Sequence, residues 1–268
     1  MASVGLVVPA YQPVPTRLIN YVRALTDAIE PETIRIELDA PEAGVVDALQ
    51  DLTATVNTVP YRRGKGVAIT AGFEALDTDI LGFVDADGST PVESVQTIIE
   101  SLQDGFNNEH ERNDLAVGSR RHPDAVVTHH QTHIRRRLGD IFAQIARRLL
   151  GIDLYDFQCG AKALTAKAWD AVRQHLYSPG FAWDIELITV SVALGYTIDE
   201  IPIAWEDKDG STVSPIRTPL SMGRELLAVR HRARALQGES NATHNSEDES
   251  ALVERENESA VIDQESQV

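Results

Sequence analysis

Short apolar runs alternate with longer segments of helical periodicity over the first half of the chain. The runs are rich in Val, Ile and Leu, as is typical of buried strands. They cover residues 5–9, 33–38, 54–59, 80–84 and 114–118, with predicted helices at 14–29, 41–52, 65–76 and 91–102. This alternation predicts right-handed βαβ units, and therefore an α/β fold with a mostly parallel central sheet flanked by helices.

The second half of the chain is more helical and ends in a strongly acidic segment. Helical patterns cover residues 133–150, 166–175, 183–194 and 219–237. Residues 239–268 contain nine acidic residues against a single arginine and few apolar ones. Such a composition cannot bury enough apolar surface to fold. We therefore expect one folded domain over residues 1–237 and an acidic, disordered tail over residues 238–268.

Two of the predicted helices are amphipathic and rich in arginine. Residues 133–150 carry five arginines near the helix ends, and residues 217–237 carry five against one glutamate. Such helices can lie on an anionic membrane surface or bind a lipid phosphate. Alternatively, their apolar stripes pack into the core and the arginines pair with surface acids. The stripes are Ile134, Leu138, Ile141, Ile145 and Leu149 in the first helix, and Leu226, Val229, Ala233 and Leu236 in the second.

Composition narrows the setting in which the protein works. A formal net charge of −17 argues against a nucleic-acid partner. Arginine supplies 20 of the 24 basic residues, and an acidic, lysine-poor chain is typical of a halophilic source such as a halophilic archaeon. The single cysteine fits a reducing cytoplasm. No apolar stretch reaches the roughly 18 residues of a membrane span, so we expect a cytoplasmic protein.

Two carboxylates, Asp85 and Asp87, follow the apolar run at 80–84. Side chains two positions apart at a strand end point the same way, so these two can share one divalent cation. Oxygen ligands suit Mg²⁺ or Mn²⁺, and a diphosphate is a common reason for such a cation. The alternative is a strand end capped by Asp and Ser without a metal.

Three further positions follow predicted strands and suit a phosphorylated ligand. The loop at 62–66, with its glycines and cations before a helix, favours phosphate. Asp39 can accept hydrogen bonds from a base or ribose, or it can cap a helix. Arg120 can place a guanidinium over the same pocket, or it can be a solvated loop residue. Each alternative stays open from the sequence alone.

Several motifs, taken in their order along the chain, resemble those of one family. They lie at residues 7–11, 64–66, 71–73 and 83–88 in the first half, and at 156–162, 180–187, 201–205, 210–213 and 222–223 in the second. Together they resemble family-2 glycosyltransferases of the GT-A fold. The second-half motifs resemble the polyprenyl-phosphate sugar transferases, particularly dolichyl-phosphate β-glucosyltransferases, with dolichyl-phosphate mannose synthases as relatives. The chain departs from that pattern at residues 12–13 and 38–42, on the nucleotide side.

The resemblance implies an inverting transfer of a hexose from a nucleotide diphosphate sugar to polyprenyl or dolichyl phosphate, feeding N-glycosylation or surface glycans. UDP-glucose is the favoured donor and GDP-mannose the alternative, with Mg²⁺ or Mn²⁺ as cofactor. The implied donor-side residues are Pro9, Tyr11, Asp39, Gly64, Lys65, Asp85 and Asp87. The implied metal ligands are Asp85, Asp87 and Ser89, and the implied catalytic residues are Asp87, Asp184 and Arg120. The acceptor phosphate is assigned to Arg120, Arg135, Arg136 and Ser211.

The sequence also contains features that suit other functions. Three histidines at 129, 130 and 133 have a spacing that suits zinc, but their surroundings favour a polar loop. Cys159 has no neighbouring histidine that would indicate a nucleophile. A soluble acceptor such as phosphoglycerate, or a nonenzymatic nucleotide-sugar-binding subunit, remains an alternative. Without a membrane span, the lipid acceptor implies peripheral attachment to the inner face of the cell membrane through the basic helices.

Overall fold

The computed structural model describes residues 2–107, 113–128, 133–206, 223 and 225–237, with residues 133–138 described by their backbone alone. The strands are β1 Val4–Tyr11, β2 Thr33–Asp39, β3 Thr55–Val59, β4 Ile80–Val84, β5 Leu115–Ser119, β6 Val126–Thr128, β7 Ala161–Thr165, β8 Ile198–Pro202 and β9 Ala204–Glu206. The helices are α1 Pro15–Ile29, α2 Val45–Ala48, α3 Lys65–Phe73, α4 Val92–Asn107, α5 His133–Leu150, α6 Ala166–Val172, α7 Trp183–Ala193 and α8 at 225–237.

A seven-stranded sheet in the order β3-β2-β1-β4-β7-β5-β8 forms the centre of the molecule. Strands β1 to β4 run parallel, and β8 is parallel to β5. Only β7, among the strands of this sheet, runs antiparallel to its neighbours β4 and β5. A second, two-stranded sheet pairs β6 with β9. The predicted mostly parallel α/β sheet is therefore confirmed.

Helices cover both faces of the central sheet because successive strand residues point to opposite sides. Leu6 and Val8 of β1 pack with α1 and α4 on one face. Val7 and Phe83 pack with α3, α6 and α7 on the other. Trp183 contacts the Phe83 ring edge-on at 5.6 Å, so the start of α7 is held against the end of β4. This packing fixes the carboxyl edge of the sheet, where the candidate site lies.

Some predicted elements are corrected by the structure. The helix expected at 41–52 is only the single turn Val45–Ala48. Gly44 before it takes a left-handed conformation with φ of 81°, and residues 49–51 after it form turns. Strands β7 and β8 were missed, since Lys162 interrupts the apolar pattern of one and Asp199 and Glu200 that of the other. Charged residues inside a strand hide it from a periodicity search.

The two amphipathic helices differ in what their stripes contact. In α8, Leu226, Val229 and Ala233 are buried, so this stripe packs into the core. In α5, Ile141 and Ile145 are 55% and 47% exposed. The core contacts of α5 come from Phe142, Ala146, Leu149 and Leu150, of which only Leu149 belongs to the predicted stripe. Among the described residues, no helix is both long and apolar enough to span a bilayer.

Candidate functional site

The candidate site lies at the carboxyl edge of the central sheet. Tyr11 at the end of β1 is paired in register with Asp39 at the end of β2, and Asp85 directly follows β4. Arg120 directly follows β5. Ligands of open α/β sheets bind at this edge, so the strand order brings the predicted side chains to one region.

The acidic pair is shaped by the strand that periodicity missed. Because β7 runs antiparallel to β4, the backbone N–H of Asp85 donates to the carbonyl of Gly160 at 2.8 Å. A Cβ on residue 160 would lie 1.9 Å from Asp85 Oδ2, so a side chain there would displace the Asp85 carboxylate. Asp87 Oδ1 accepts from the backbone N–H of Ser89 at 2.9 Å. Ser89 is buried, while the Asp85 carboxylate is 43% exposed.

The chemistry of these residues fits a divalent cation that is shared with a ligand. The pKa of Asp85 is raised: burial and the Asp87 and Asp184 carboxylates raise it by more than Lys65 lowers it. A cation would relieve this repulsion. The described residues contain no cluster of three or more His, Cys, Asp or Glu side chains suited to a metal. Mg²⁺ characteristically takes only one or two carboxylates and completes its shell with water and phosphate oxygens.

A buried chain of charges connects the acidic pair to α7. Lys65 Nζ lies 3.0 Å from Asp85 Oδ1 and 3.2 Å from Asp184 Oδ2. Lys162 Nζ, fully buried, lies 2.7 Å from the other oxygen of Asp184. Burial alone would raise the pKa of Asp184, but the two lysines lower it below its usual value. Asp184 is therefore held ionised between two cations, which suits positioning of Lys65 better than accepting a proton.

Lys162 is a site residue that sequence reasoning missed. It lies within the motif at 156–162, but the sequence around a lysine in a strand does not indicate which acid will pair with it. The partner, Asp184, is 22 residues away in the chain and reaches it only through the packing of α7 on β7. The register that places Lys162 opposite Phe83 puts its ammonium at the sheet edge.

The nucleotide-side residues form a clamp on the loop before α3. Asp39 accepts from the backbone N–H groups of Arg63 at 2.7 Å and Gly64 at 3.2 Å, and from Arg63 Nε at 2.7 Å. Buried Glu37 accepts from Arg63 Nη2 at 2.9 Å. Asp39 is 3% exposed and caps no helix, so it holds the loop in place. Glu37 was not predicted as a site residue. Arg63 was predicted as a cation of the phosphate-favouring loop at 62–66, but its side chain is bound by Asp39 and Glu37.

The glycines of this loop allow a second loop to approach closely. Gly64, with φ of 102°, would bring a Cβ to 2.6 Å from the Pro179 carbonyl oxygen. A Cβ on Gly66 would lie 2.6 Å from the Ser178 carbonyl oxygen. Beside them, the Arg62 guanidinium lies 4.2 Å from the centre of the Tyr11 ring. Pro9, two residues before Tyr11 in β1, is partly buried.

Arg120 is fixed by a bidentate pair with Asp156. Its Nε and Nη2 donate to the two Asp156 oxygens at 2.7 and 3.0 Å, and its guanidinium lies 5.6 Å from the Trp205 ring centre. Burial opposes ionisation of both groups, yet the pair raises the pKa of Arg120 and lowers that of Asp156 to about 2. The Asp85 carboxylate also raises the pKa of Arg120, so this fixed cation lies within electrostatic range of Asp85.

The remaining predicted positions divide into two groups. Burial raises the pKa of Cys159 to about 11, which agrees with its rejection as a nucleophile. Ser211, the histidines at 129 and 130 and the tail at 238–268 lie outside the described residues. Arg135 and Arg136 lie in the first turns of α5, but their side chains are outside the description. Their assigned roles stay predictions.

Residues 6–172 match the family described as Glycosyl transferase family 2. This chain belongs to that family. A relative, glycosyltransferase AglD of Haloferax volcanii, is 28% identical over 236 residues, which are 84% of this chain and 36% of that protein. Dolichyl-phosphate beta-glucosyltransferase of Mus musculus is 28% identical over 79% of this chain and 63% of its own length. The chain thus spans roughly a third to just under two thirds of these curated relatives.

Solved structures of other proteins share the fold. Glucosyl-3-phosphoglycerate synthase of Mycobacterium tuberculosis in complex with UDP aligns with a TM-score of 0.62 at 17% identity, over 87% of this chain and 80% of its own. The same enzyme with Mn²⁺, UDP and its product aligns with a TM-score of 0.61 at 14% identity, over the same shares of the two chains. The GT-A fold expected for this family-2 glycosyltransferase is therefore confirmed.

Proposed function

We propose that this protein transfers glucose from UDP-glucose to a dolichyl or polyprenyl phosphate with inversion at the anomeric carbon. The observation that carries the proposal is the presence of two charged sets at one sheet edge. Asp85, paired with Lys65, and Arg120, held by Asp156, follow two strands of the same sheet and lie within electrostatic range of each other. Two anions must meet for such a transfer, and this arrangement offers a separate position for each. The dolichyl-phosphate β-glucosyltransferase relatives support the lipid acceptor and the glucose donor.

On the donor side, Asp85, Asp87 and Ser89 would hold Mg²⁺ or Mn²⁺, which when bound neutralises charge on the diphosphate leaving group. Lys65 sits between Asp85 and Asp184 and presents its ammonium to the same region. Asp39 orders the loop at 63–64, so the donor contacts of Gly64 depend on it. The Mn²⁺ and UDP in the mycobacterial enzyme support this assignment.

On the acceptor side, Arg120 binds the attacking phosphate, with Arg135, Arg136 and Ser211 as further contacts. A phosphate monoester, with a second pKa of about 6, is already largely ionised near neutrality and needs no general base. This agrees with the geometry of Asp184, whose two oxygens are both engaged by lysines. Arg120 instead orients the anion, since Asp156 fixes the plane of its guanidinium.

The protein would work while peripherally attached to the inner face of the cell membrane. Support comes from the exposed isoleucines Ile141 and Ile145 on α5, a helix whose last turn carries Arg147 and Arg148. A basic helix with exposed apolar residues is suited to an anionic membrane surface. The acidic, lysine-poor composition and the relative from Haloferax volcanii support a halophilic archaeal source.

Transfer assays with the purified full chain test the proposal. UDP-glucose and GDP-mannose are each offered with dolichyl phosphate in phosphatidylcholine vesicles, or with 3-phosphoglycerate in solution, at high KCl with Mn²⁺ or Mg²⁺. We expect a glucosylated product only when UDP-glucose and the dolichyl phosphate vesicles are both present. Excess chelator and the Asp87→Asn variant should each abolish its formation.

Transfer to 3-phosphoglycerate alone would favour the second candidate function, a soluble phosphate acceptor. That candidate rests on the fold likeness to the mycobacterial synthase. Absence of transfer from either donor to either acceptor would contradict both.

A further inference from the structure

A cavity of about 210 Å³ lies between the C-terminal ends of α5 and α7 and residues 230–237 of α8. Arg148, Arg230 and Arg234 line it, together with Thr189 of α7 and Gln237 of α8. Helices rise about 1.5 Å per residue, so Val192 on its wall lies about 12 Å along α7 from Asp184. The cavity is therefore separate from the candidate transferase site.

The arginines of this cavity differ from most of the other arginines whose side chains the structure describes. Within the described residues, seven arginines pair with carboxylates: Arg35, Arg63, Arg120, Arg121, Arg147, Arg173 and Arg232. Arg148, Arg230 and Arg234 have no such partner in the same part of the chain. The buried Nε of Arg230 also lacks a hydrogen-bond acceptor there. In a chain of net charge −17, three unpaired guanidiniums around one cavity indicate a site for an anion.

Stabilisation of helix ends explains only part of this arrangement. Arg148 lies in the last turn of α5, where a cation is favourable, and Arg234 lies in the last turn of α8 that the structure describes. Arg230 lies in the middle of α8, where that effect does not reach, and its guanidinium is partly buried. A bound anion accounts for all three residues.

The surroundings of the cavity select the kind of anion. Ile141, Ile145 and Arg148 follow one another at helical spacing on the exposed face of α5, so the exposed apolar pair leads to the cavity. An apolar strip beside a cationic cavity matches the acyl chain and the phosphate of one lipid. Since a water molecule in the liquid occupies about 30 Å³, the cavity has room for a phosphate group with its nearest substituents.

We propose that the cavity of Arg148, Arg230 and Arg234 binds the phosphate headgroup of an anionic membrane lipid, whose acyl chains lie along Ile141 and Ile145. This lipid is not the acceptor. It anchors the protein and sets the orientation of α5 on the membrane. The inference goes beyond the proposed transfer reaction, because the cavity and the reaction site share no residue.

Co-sedimentation of the full chain with vesicles tests the headgroup site. Vesicles of phosphatidylcholine with one part in five phosphatidylglycerol are compared with pure phosphatidylcholine, at fixed KCl. We expect Arg148→Gln/Arg234→Gln to weaken partitioning into the anionic vesicles at least about tenfold, since each arginine near a charged surface contributes measurably. Arg23→Gln/Arg62→Gln, a matched loss of two charges elsewhere, should change it less than about twofold.

Three outcomes would overturn the proposal. Equal losses in the two double variants would show that only overall charge matters. If inorganic phosphate raises the melting temperature of the wild type but not of Arg148→Gln/Arg234→Gln, and vesicles do not bind, the ligand is a soluble phosphate compound. If the dependence on Arg148 and Arg234 is found only in a chain ending at residue 237, the acidic tail occupies the cavity instead.

Transfer to a short-chain polyprenyl phosphate in detergent separates this proposal from the proposed function. The Arg148→Gln/Arg234→Gln variant should keep its rate in that assay, because neither residue touches the reaction site. A loss there as large as the loss of vesicle binding would place the arginines in the transferase reaction and overturn a separate lipid site.

Discussion

At the residue scale, Asp184 connects two lysines that have different tasks. Lys162 is fully buried and bonds only within the protein, to Asp184 and to the Cys159 carbonyl at 2.6 Å. Lys65 is 12% exposed and also reaches Asp85. A buried ion pair costs desolvation that its partners offset, so removal of one partner is more costly the deeper it lies.

Lys65→Met and Lys162→Met should therefore separate binding from stability. We expect Lys162→Met to lower the free energy of unfolding by about 3 kcal/mol, since the enclosed carboxylate loses a partner. Lys65→Met should lower it by about 1 kcal/mol but weaken UDP-glucose binding by roughly tenfold or more, because a charge-assisted contact is lost. Urea unfolding and calorimetric titration measure the two effects. The reverse assignment of effects would contradict the role given to Lys65.

Gly160 offers a test of the acidic pair that leaves both acids in place. In Gly160→Ala the new Cβ would displace the Asp85 carboxylate, 1.9 Å away, so metal-dependent UDP-glucose binding should fall by roughly tenfold or more. Gly180→Ala is a matched control, because a Cβ there meets nothing within 4 Å. Calorimetric titration with and without Mn²⁺ measures the difference. Equal donor affinity in the two variants would show that the position of Asp85 does not matter for binding.

At the element scale, periodicity predicted the strands with continuous apolar runs and missed the strand that completes the site. The runs at 80–84 and 114–118 correspond closely to β4 and β5, which are buried along their whole length. Strand β7 contains Lys162, whose charge is offset by Asp184 on a distant helix. Only the folded arrangement reveals that pairing. Asp85 and Arg120 were predicted because each belongs to a local motif at the end of an apolar run. The pairing of Glu37 with Arg63 was not predicted, because the two residues are 26 positions apart in the chain.

Glu186 shows how one buried acid can join three elements. It is fully buried and accepts from the backbone N–H groups of Tyr177 at 2.8 Å and Ser178 at 2.6 Å. Its other oxygen pairs with Arg232 of α8. The loop it holds is the one that packs against Gly64 and Gly66. Glu186 thus ties α7 and α8 to the loop beside the donor position.

Glu186→Gln should destabilise the protein by about 2 kcal/mol, because the charge-assisted bonds weaken and Arg232 loses its partner. Glu225→Gln is the control, since it removes the same charge from an exposed position on α8. Urea denaturation at constant KCl gives both values. A change in the Glu186 variant no larger than in the control would mean that the loop is held by other contacts.

At the scale of the whole molecule, the charge of −17 opposes compaction unless salt screens it. The screening length falls from about 10 Å at 0.1 M to about 3 Å at 1 M salt. Nine of the 41 acids of this chain lie in residues 239–268. Repulsion among surface carboxylates and repulsion from the tail should therefore both weaken as KCl rises.

We expect the melting temperature to rise steadily between 0.1 and 2 M KCl, because screening relieves repulsion that the unfolded chain suffers less. A chain ending at residue 237, which lacks nine acids and one arginine, should show a smaller rise. Sucrose separates charge from solvent exclusion, since an uncharged osmolyte should stabilise both chains alike. Differential scanning calorimetry measures the melting temperature of both chains in KCl and in sucrose. A melting temperature that is flat or falls with KCl would contradict the halophilic interpretation, because the acidic surface would then have no need of salt.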